Sequence, residues 1–146
     1  MRQSVLAIAL AALFMLATTN PSDAARDKSG VMKASEVIGT KVVDTDGKKL
    51  GDIKDLVLDP GEGDVQYAVL DFGGFLGIGD KYFAVPWGAF KVNPDRKALV
   101  LDVSKRDLKK APGFDKSNWP DMNDQNYVVT IYEFYEVPQP NGSKKP

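Results

Sequence analysis

The side chains that most often carry enzyme chemistry are scarce in this chain. Its 146 residues include no cysteine and no histidine. A disulfide, a thiol nucleophile, a Cys/His zinc site and a Ser-His-Asp triad are therefore excluded. The remaining candidates are carboxylates, and Asp52, Asp55 and Asp71 fall within predicted strands. Two of them would serve as general acid and base only if they shared a cleft. The spacing indicates no such cleft, so we expect no enzyme activity.

Acidic turns are the second chemical candidate. Asp44-Thr45-Asp46-Gly47 resembles the start of a calcium loop, and three acids surround Pro60-Gly61 within residues 59–64. An EF-hand has glycine at its sixth position and glutamate at its twelfth, whereas the glycine here is fourth. Ordinary turn formation accounts for the same acids. We predict no metal site and no cofactor, and keep a small-ligand or divalent-metal-binding envelope stress protein as the alternative function.

A glycine-rich loop over residues 73–79 is the third candidate. Gly77-Ile78-Gly79 lacks the Gly-x-Gly-x-x-Gly spacing and the Lys-Ser/Thr pair of nucleotide-binding loops. Glycines permit a tight connection with positive φ, which would present Phe75, Leu76 and Ile78 at the tip. If exposed, these three form an apolar contact surface for a partner or a second protomer. If they fold back, they form a lid on an open barrel end, and the sequence leaves both readings open.

Two tryptophans and the charge balance complete the list of candidates. Trp87 and Trp119 are expected to be core or docking aromatics, and Trp119 is also a candidate for surface binding.

The run Ser104–Lys110 carries four basic residues interrupted by Asp107, which is typical of a solvated face. With 19 basic and 20 acidic residues the net charge is −1. This balance argues against a broad basic surface, so no nucleic-acid partner is predicted.

The N-terminal segment predicts export. Val5–Leu16 is an unbroken apolar run, shorter than the ~20 residues that span a bilayer, and a positive charge precedes it. Ser22-Asp23-Ala24 has small residues at the −3 and −1 positions of a cleavage site. We expect a signal peptide over residues 1–24, cleaved after Ala24 or Ala25. The mature protein would then have no stable membrane anchor and would be periplasmic or secreted.

Short β-like runs separated by turn signals must position these candidates. Strands are predicted over residues 40–44, 49–59, 64–72, 81–85 and 97–103, with a stub of strand within 87–92. The alternation slips in the second run, where a β-bulge near Gly51-Asp52 would restore the register. Several short strands at regular spacing indicate a small antiparallel barrel or sandwich. Bulges and glycines at the corners favour the barrel.

Three segments carry helical signals. Lys33–Gly39 predicts a single turn with Ser35 as its cap, and Ser104 opens a capping box for a short helix that reaches about Lys110. Tyr127–Val137 is ambiguous. Its aromatic and β-branched residues favour a strand, whereas the i, i+4 series through Ile131 favours a helix.

Several runs of the sequence resemble the PRC-barrel family, named after the extramembrane domain of the photosynthetic reaction-centre H subunit. The matching runs are Ala34–Gly39, Val42–Gly47, Leu50–Ile53, Val65–Gly79, Lys81, Ala84–Trp87 and Leu108–Phe114. The resemblance implies a mainly β protein: a small, strongly bent antiparallel barrel with a short helix and a C-terminal helical or extended appendage. Relatives often end in a helix, which favours helix for Tyr127–Tyr135.

The resemblance implies a docking or assembly role and no single function. We therefore expect a non-enzymatic interaction or assembly module of the bacterial periplasm or envelope. It would bind a protein partner or form a homodimer, through the loop around Phe75 or through an edge strand. The expected organisation is a signal peptide (1–24), a flexible lead-in (25–32), the PRC barrel (33–115), an appendage packed on the barrel (116–137) and a disordered tail (138–146).

Overall fold

The computed structural model describes residues 31–73, 81–93, 95 and 97–139. The predicted signal peptide lies outside these residues, as do Phe75, Leu76 and Ile78. The same holds for most of the lead-in and most of the tail. The described strands are β1 (Lys41–Val43), β2 (Lys49–Asp59), β3 (Asp64–Asp71), β4 (Lys81–Pro86), β5 (Phe90–Val92), β6 (Ala98–Leu101) and β7 (Gly113–Asp115). The helices are α1 (Ala34–Val37), α2 (Lys105–Leu108) and α3 (Gln125–Phe134), and a 3₁₀ turn covers Trp87–Ala89.

The seven strands form one bent, mixed sheet in the order β5-β6-β1-β2-β3-β4-β7. The mainly β, barrel-like fold is confirmed, and in the described residues the sheet is not closed. The expectation of a wholly antiparallel barrel is wrong for one pair, because β1 and β6 run parallel. They pair across a long stretch of chain, and periodicity reports which face of a strand is apolar but not its direction.

β2 bends through the irregularity that its sequence indicated. Val42 pairs with Gly51 and Val43 with Lys49, so Leu50 is the extra residue of a bulge. Leu50 and Ile53 are both buried although their parity differs. The bulge predicted near Gly51-Asp52 therefore lies one residue earlier, and it explains the slip in alternation.

The short helices begin close to their predicted caps. Ser104 Oγ accepts a hydrogen bond from the Asp107 amide at 3.1 Å, which confirms Ser104 as the N-cap of α2. The predicted cap of α1 is wrong by two residues, since the cap is Lys33 and Ser35 lies inside the helix. The Glu36 carboxylate accepts from the Lys33 amide at 3.2 Å and takes over part of the capping.

Residues 127–134 lie in α3 with Tyr135 as the C-cap, so helix is confirmed for this segment, and α3 closes part of the core. Ile131 is fully buried, and Tyr132 packs its ring edge-on against Tyr67 of β3 with centroids 5.9 Å apart. Within the described part of the chain, no helix is long and apolar enough to span a membrane.

Candidate functional site

An open groove of about 560 Å³ lies beside the first half of β2. Its walls are the two residues after α1, residues 49–54 of β2, residues 71–73 at and after the end of β3, and the first residue of α2. We call it the β2 groove. Its rim is partly apolar, because Ile38 is 42% exposed and Phe72 is half-buried. It combines exposed apolar surface with charged side chains.

A close approach of β2 and β3 forms the floor of the groove. A Cβ atom on Gly51 would collide with the Asp71 carbonyl oxygen and would lie 2.9 Å from Leu70 Cδ1. Only glycine lets the two backbones pass so closely. The bulge at Leu50 and the bare Cα of Gly51 together bring the start of β2 against the end of β3.

Five charged side chains line the groove, three lysines and two aspartates. Lys49 Nζ lies 2.6 Å from Asp52 Oδ2. The Lys105 ammonium lies 5.6 Å from the centroid of the Phe72 ring. Lys54 takes part in none of the ion pairs within the described residues. The groove therefore carries a small net positive charge with both signs exposed.

Two of the three sequence-predicted carboxylates meet in this groove. Asp52 and Asp71 are direct cross-strand partners. Like charges in such positions repel, and each carboxylate is engaged by the chain itself. Asp52 pairs with Lys49, and Asp71 Oδ1 accepts from the Gly73 amide at 2.9 Å. Asp55 is not among the lining residues.

The pairing of Asp52 with Asp71 was missed by sequence reasoning, although a signal for it exists. Asp59 pairs with Asp64 at the turn. Asp52 lies as far before Asp59 as Asp71 lies after Asp64. The β2–β3 register shifts twice, between Ile53 and Asp55 and between Val57 and Leu58, and the two shifts cancel. Counting outward from the turn would have found the pair.

The turn acids organise turns. Asp44 is buried, and its Oδ1 accepts from the amides of Asp46 at 3.0 Å and Lys48 at 2.8 Å. Asp59 Oδ1 accepts from the Gly61 amide at 2.7 Å. No group of three or more Asp or Glu side chains that could hold a metal ion occurs in the described ranges.

Comparison with known proteins places this groove in a recognised domain. The PRC-barrel domain family matches residues 29–108, more than half of the chain. The chain belongs to the PRC-barrel family. Every residue that lines the β2 groove lies within the matched range of this PRC barrel, whereas Trp119 and α3 lie beyond it.

A solved structure described as a 16S ribosomal RNA processing protein, RimM, from Pseudomonas aeruginosa is similar to this PRC-barrel chain. The identity is 20%, the match covers 56% of this chain and 49% of that chain, and the TM-score is 0.35. This chain thus spans about half of that protein. The search of curated proteins found no match.

The two candidate tryptophans of the PRC-barrel protein do not line the groove. Trp119 packs its ring 5.1 Å from that of Phe114, and its Nε1 donates to the Lys116 carbonyl at 3.1 Å. Part of the Trp119 side chain still faces solvent, and the residue is 42% exposed. Trp87 is half-buried, with its ring 6.0 Å from Phe90. Trp119 therefore covers one edge of the sheet, and Trp87 packs against the core.

Proposed function

We propose that this PRC-barrel protein is a non-enzymatic interaction module of the bacterial periplasm or envelope, and that the β2 groove holds its protein partner. The carrying observation is the groove itself, which opens within the family-matched range and offers both exposed apolar side chains and charges. Protein interfaces combine these features, with apolar anchors at the centre and charges that set orientation. Ile38 supplies an exposed apolar contact on the rim of the groove, and the three lysines supply positive charge.

The N-terminal sequence supports the proposed location. Its apolar run is short, a positive charge precedes it, and small residues stand before Ala25. These are the three parts of a secretory signal. We propose that export removes residues 1–24 and releases the barrel without an anchor.

The charges of the groove favour a protein partner over a small ligand. Its volume lies in the range of small-molecule sites, which is roughly 300–1,000 Å³. Such sites are lined mainly by apolar and aromatic side chains, whereas five of the twelve lining residues here are charged. The two facing carboxylates are already engaged by Lys49 and by the Gly73 amide.

A chain without cysteine permits a sharp test. Ile38→Cys and Lys54→Cys each place a single thiol at the groove, and Lys91→Cys places one on the exposed β5 edge as a matched control. Each purified variant is labelled with a photoactivatable crosslinker and irradiated with the envelope fraction of the native host. We expect one protein adduct from both groove positions and none from the control. The endogenous protein in that fraction should start at Ala25 or Arg26 by mass.

Two outcomes would count against the proposal. Equal adducts from Lys91→Cys and the groove variants would remove the groove as the docking surface. Recovery of the endogenous protein in the cytosol with an intact N-terminus would remove the envelope location.

A further inference from the structure

Charge is divided between the two ends of the long β2–β3 hairpin. The turn end, residues 58–64, contains three acidic residues and no basic one, and we call it the acidic tip. No lysine or arginine occurs between Lys54 and Lys81. In the described residues, none of the tip carboxylates takes part in an ion pair. The tip therefore presents uncompensated negative charge to solvent.

The opposite end of the hairpin is basic. Lys49, Lys54 and Lys105 line the β2 groove. α2 adds Arg106, and Lys109 and Lys110 follow directly after the helix. Three acids, Asp52, Asp71 and Asp107, lie among these six basic residues, and Asp52 and Asp107 form ion pairs with some of them. This end of the hairpin therefore carries a net charge of +3, whereas the acidic tip carries −3, although the whole chain carries only −1.

The two ends cannot satisfy each other within one copy. β2 has 11 residues, which at ~3.3 Å per residue spans about 30 Å. This exceeds the screening length of ~10 Å at moderate ionic strength. Lys49 stands at the beginning of β2, whereas Lys54 stands at its middle, five residues or about 17 Å from Asp59. Both separations exceed the screening length, so attraction between the two ends is weak within one copy, and their charges are left for contacts with another molecule.

The acidic tip has a fixed turn conformation and an exposed apolar side chain. Asp59 Oδ1 accepts from the amides of Gly61 at 2.7 Å and Glu62 at 3.2 Å, which holds the turn in one conformation. A pre-organised loop loses little entropy when it binds. Leu58, next to the turn, is 61% exposed. It gives the tip an apolar residue to match the exposed Ile38 on the groove rim.

We infer that the β2 groove of one molecule receives the acidic tip of a second copy of this chain. The inference rests on the proposed function and names its partner. Because the surfaces are different, the contact is heterologous, and repetition generates a ring or an open chain of molecules. Glu62 and Asp64 face the groove lysines, and Leu58 packs near Ile38.

Sedimentation of the purified protein without its proposed signal peptide (residues 25–146) tests the inference first. At about 50 mM salt we expect the mean mass to rise with concentration, and at about 500 mM salt we expect monomer, because exposed charges are then screened. The variant Glu62→Gln with Asp64→Asn keeps Asp59 and the shape of the turn, and it removes two of the tip's three negative charges. We expect it to weaken association about tenfold or more. The matched control, Lys91→Gln with Lys97→Gln, changes two exposed charges on the β5 side and should associate like the wild type.

Crosslinking between single-cysteine variants tests the polarity of the contact. Glu62→Cys, at the tip, is mixed with Lys54→Cys, in the groove, in the presence of a short bis-maleimide. The mixture should give a covalent dimer, whereas each variant alone should give far less. Glu62→Cys mixed with Lys91→Cys is the control and should not exceed the background.

The outcomes separate this inference from the proposed function. A monomer at all concentrations in low salt, or Glu62→Cys that dimerises by itself as well as the mixture does, overturns the second-copy contact. If the groove still captures an envelope protein in that case, the proposed function stands without it. If neither self-association nor capture of an envelope protein is seen, while circular dichroism shows that the variants are folded, both the second-copy contact and the proposed function are contradicted.

Discussion

Gly51 shows how a single residue shapes the site. It sits where the bulge at Leu50 turns β2 toward β3, and its hydrogen in place of a side chain lets the Asp71 carbonyl approach. The same approach brings Asp52 and Asp71 onto one wall of the groove. The absence of a side chain at Gly51 thus lets the carboxylates of Asp52 and Asp71 lie side by side.

Replacing this hydrogen with a methyl group should be costly. We expect Gly51→Ala to lower the free energy of unfolding by about 1–3 kcal/mol, because overpacking in a dense core forces backbone shifts. Gly88→Ala is the matched control. Its new Cβ would meet only Val137 Cγ1, at an ordinary contact distance of 3.5 Å. Urea titrations of the two variants measure the difference, and equal stabilities would show that β2 and β3 can separate without cost.

Among the elements, α3 has an unusual contact with the sheet. Tyr127 of α3 and Tyr135, its C-cap residue, have buried hydroxyls with no hydrogen-bond partner in the described part of the chain. Burial raises the pKa of Tyr127 to about 12. Burial also raises the pKa of Tyr67 and Tyr135, with smaller contributions from neighbouring tyrosines. For Tyr132, burial and then the Asp64 carboxylate raise the pKa. Helix docking therefore depends on these phenols staying protonated.

Alkaline pH should weaken the docking of α3. A tyrosine in the unfolded chain ionises near pH ~10, whereas in the folded protein these tyrosines ionise at higher pH. The unfolded state thus binds fewer protons above pH ~10, and stability falls as the pH rises through about 12. Below pH ~10 both states are protonated and this contribution is constant.

The variant Tyr127→Phe with Tyr135→Phe isolates that effect. At neutral pH its free energy of unfolding should be unchanged or higher by up to about 1 kcal/mol, since a buried hydroxyl without a partner is removed. Between pH 9 and 11.5 its stability should decline less than that of the wild type. Thr130→Val, which removes a non-titrating hydroxyl from the same helix, is the control. If the free energy of unfolding falls equally in all three proteins over this pH range, ionisation of Tyr127 and Tyr135 is not what weakens the docking of α3.

The elements also show what the sequence could predict. The bounds of β2 and its bulge were readable, because alternation of apolar residues and its slip are local signals. The parallel pairing of β1 with β6 was not, since it joins distant segments. β7 was missed because three residues around Phe114 are too few to show a period.

The groove gathers residues from the segment after α1, from β2, from β3 and from α2, and local sequence patterns do not report which distant segments meet in the fold. The contact surface predicted around Phe75, Leu76 and Ile78 lies outside the described residues and stays a prediction.

The whole molecule owes its stability to its core. With no cysteine the chain has no covalent crosslink. Every ion pair in the described ranges joins side chains that are each at least 45% exposed, and such pairs contribute only ~0–1 kcal/mol. Leu70, Leu108 and Ile131 come from β3, α2 and α3 and are fully buried. Packing across these elements holds the barrel and its appendage together.

Fold stability should therefore respond little to salt, whereas self-association should respond strongly. Raising salt from about 50 to about 500 mM should change the melting temperature little, because it screens only weak surface pairs. The same change should dissociate the contact between acidic tip and groove. Leu70→Ala should do the reverse. It should lower the free energy of unfolding by about 2–5 kcal/mol by leaving a cavity, yet preserve salt-sensitive association at temperatures where it is folded. Melting and sedimentation on the same samples check both. A melting temperature that falls in parallel with association would mean that surface charge, rather than the core, stabilises the fold.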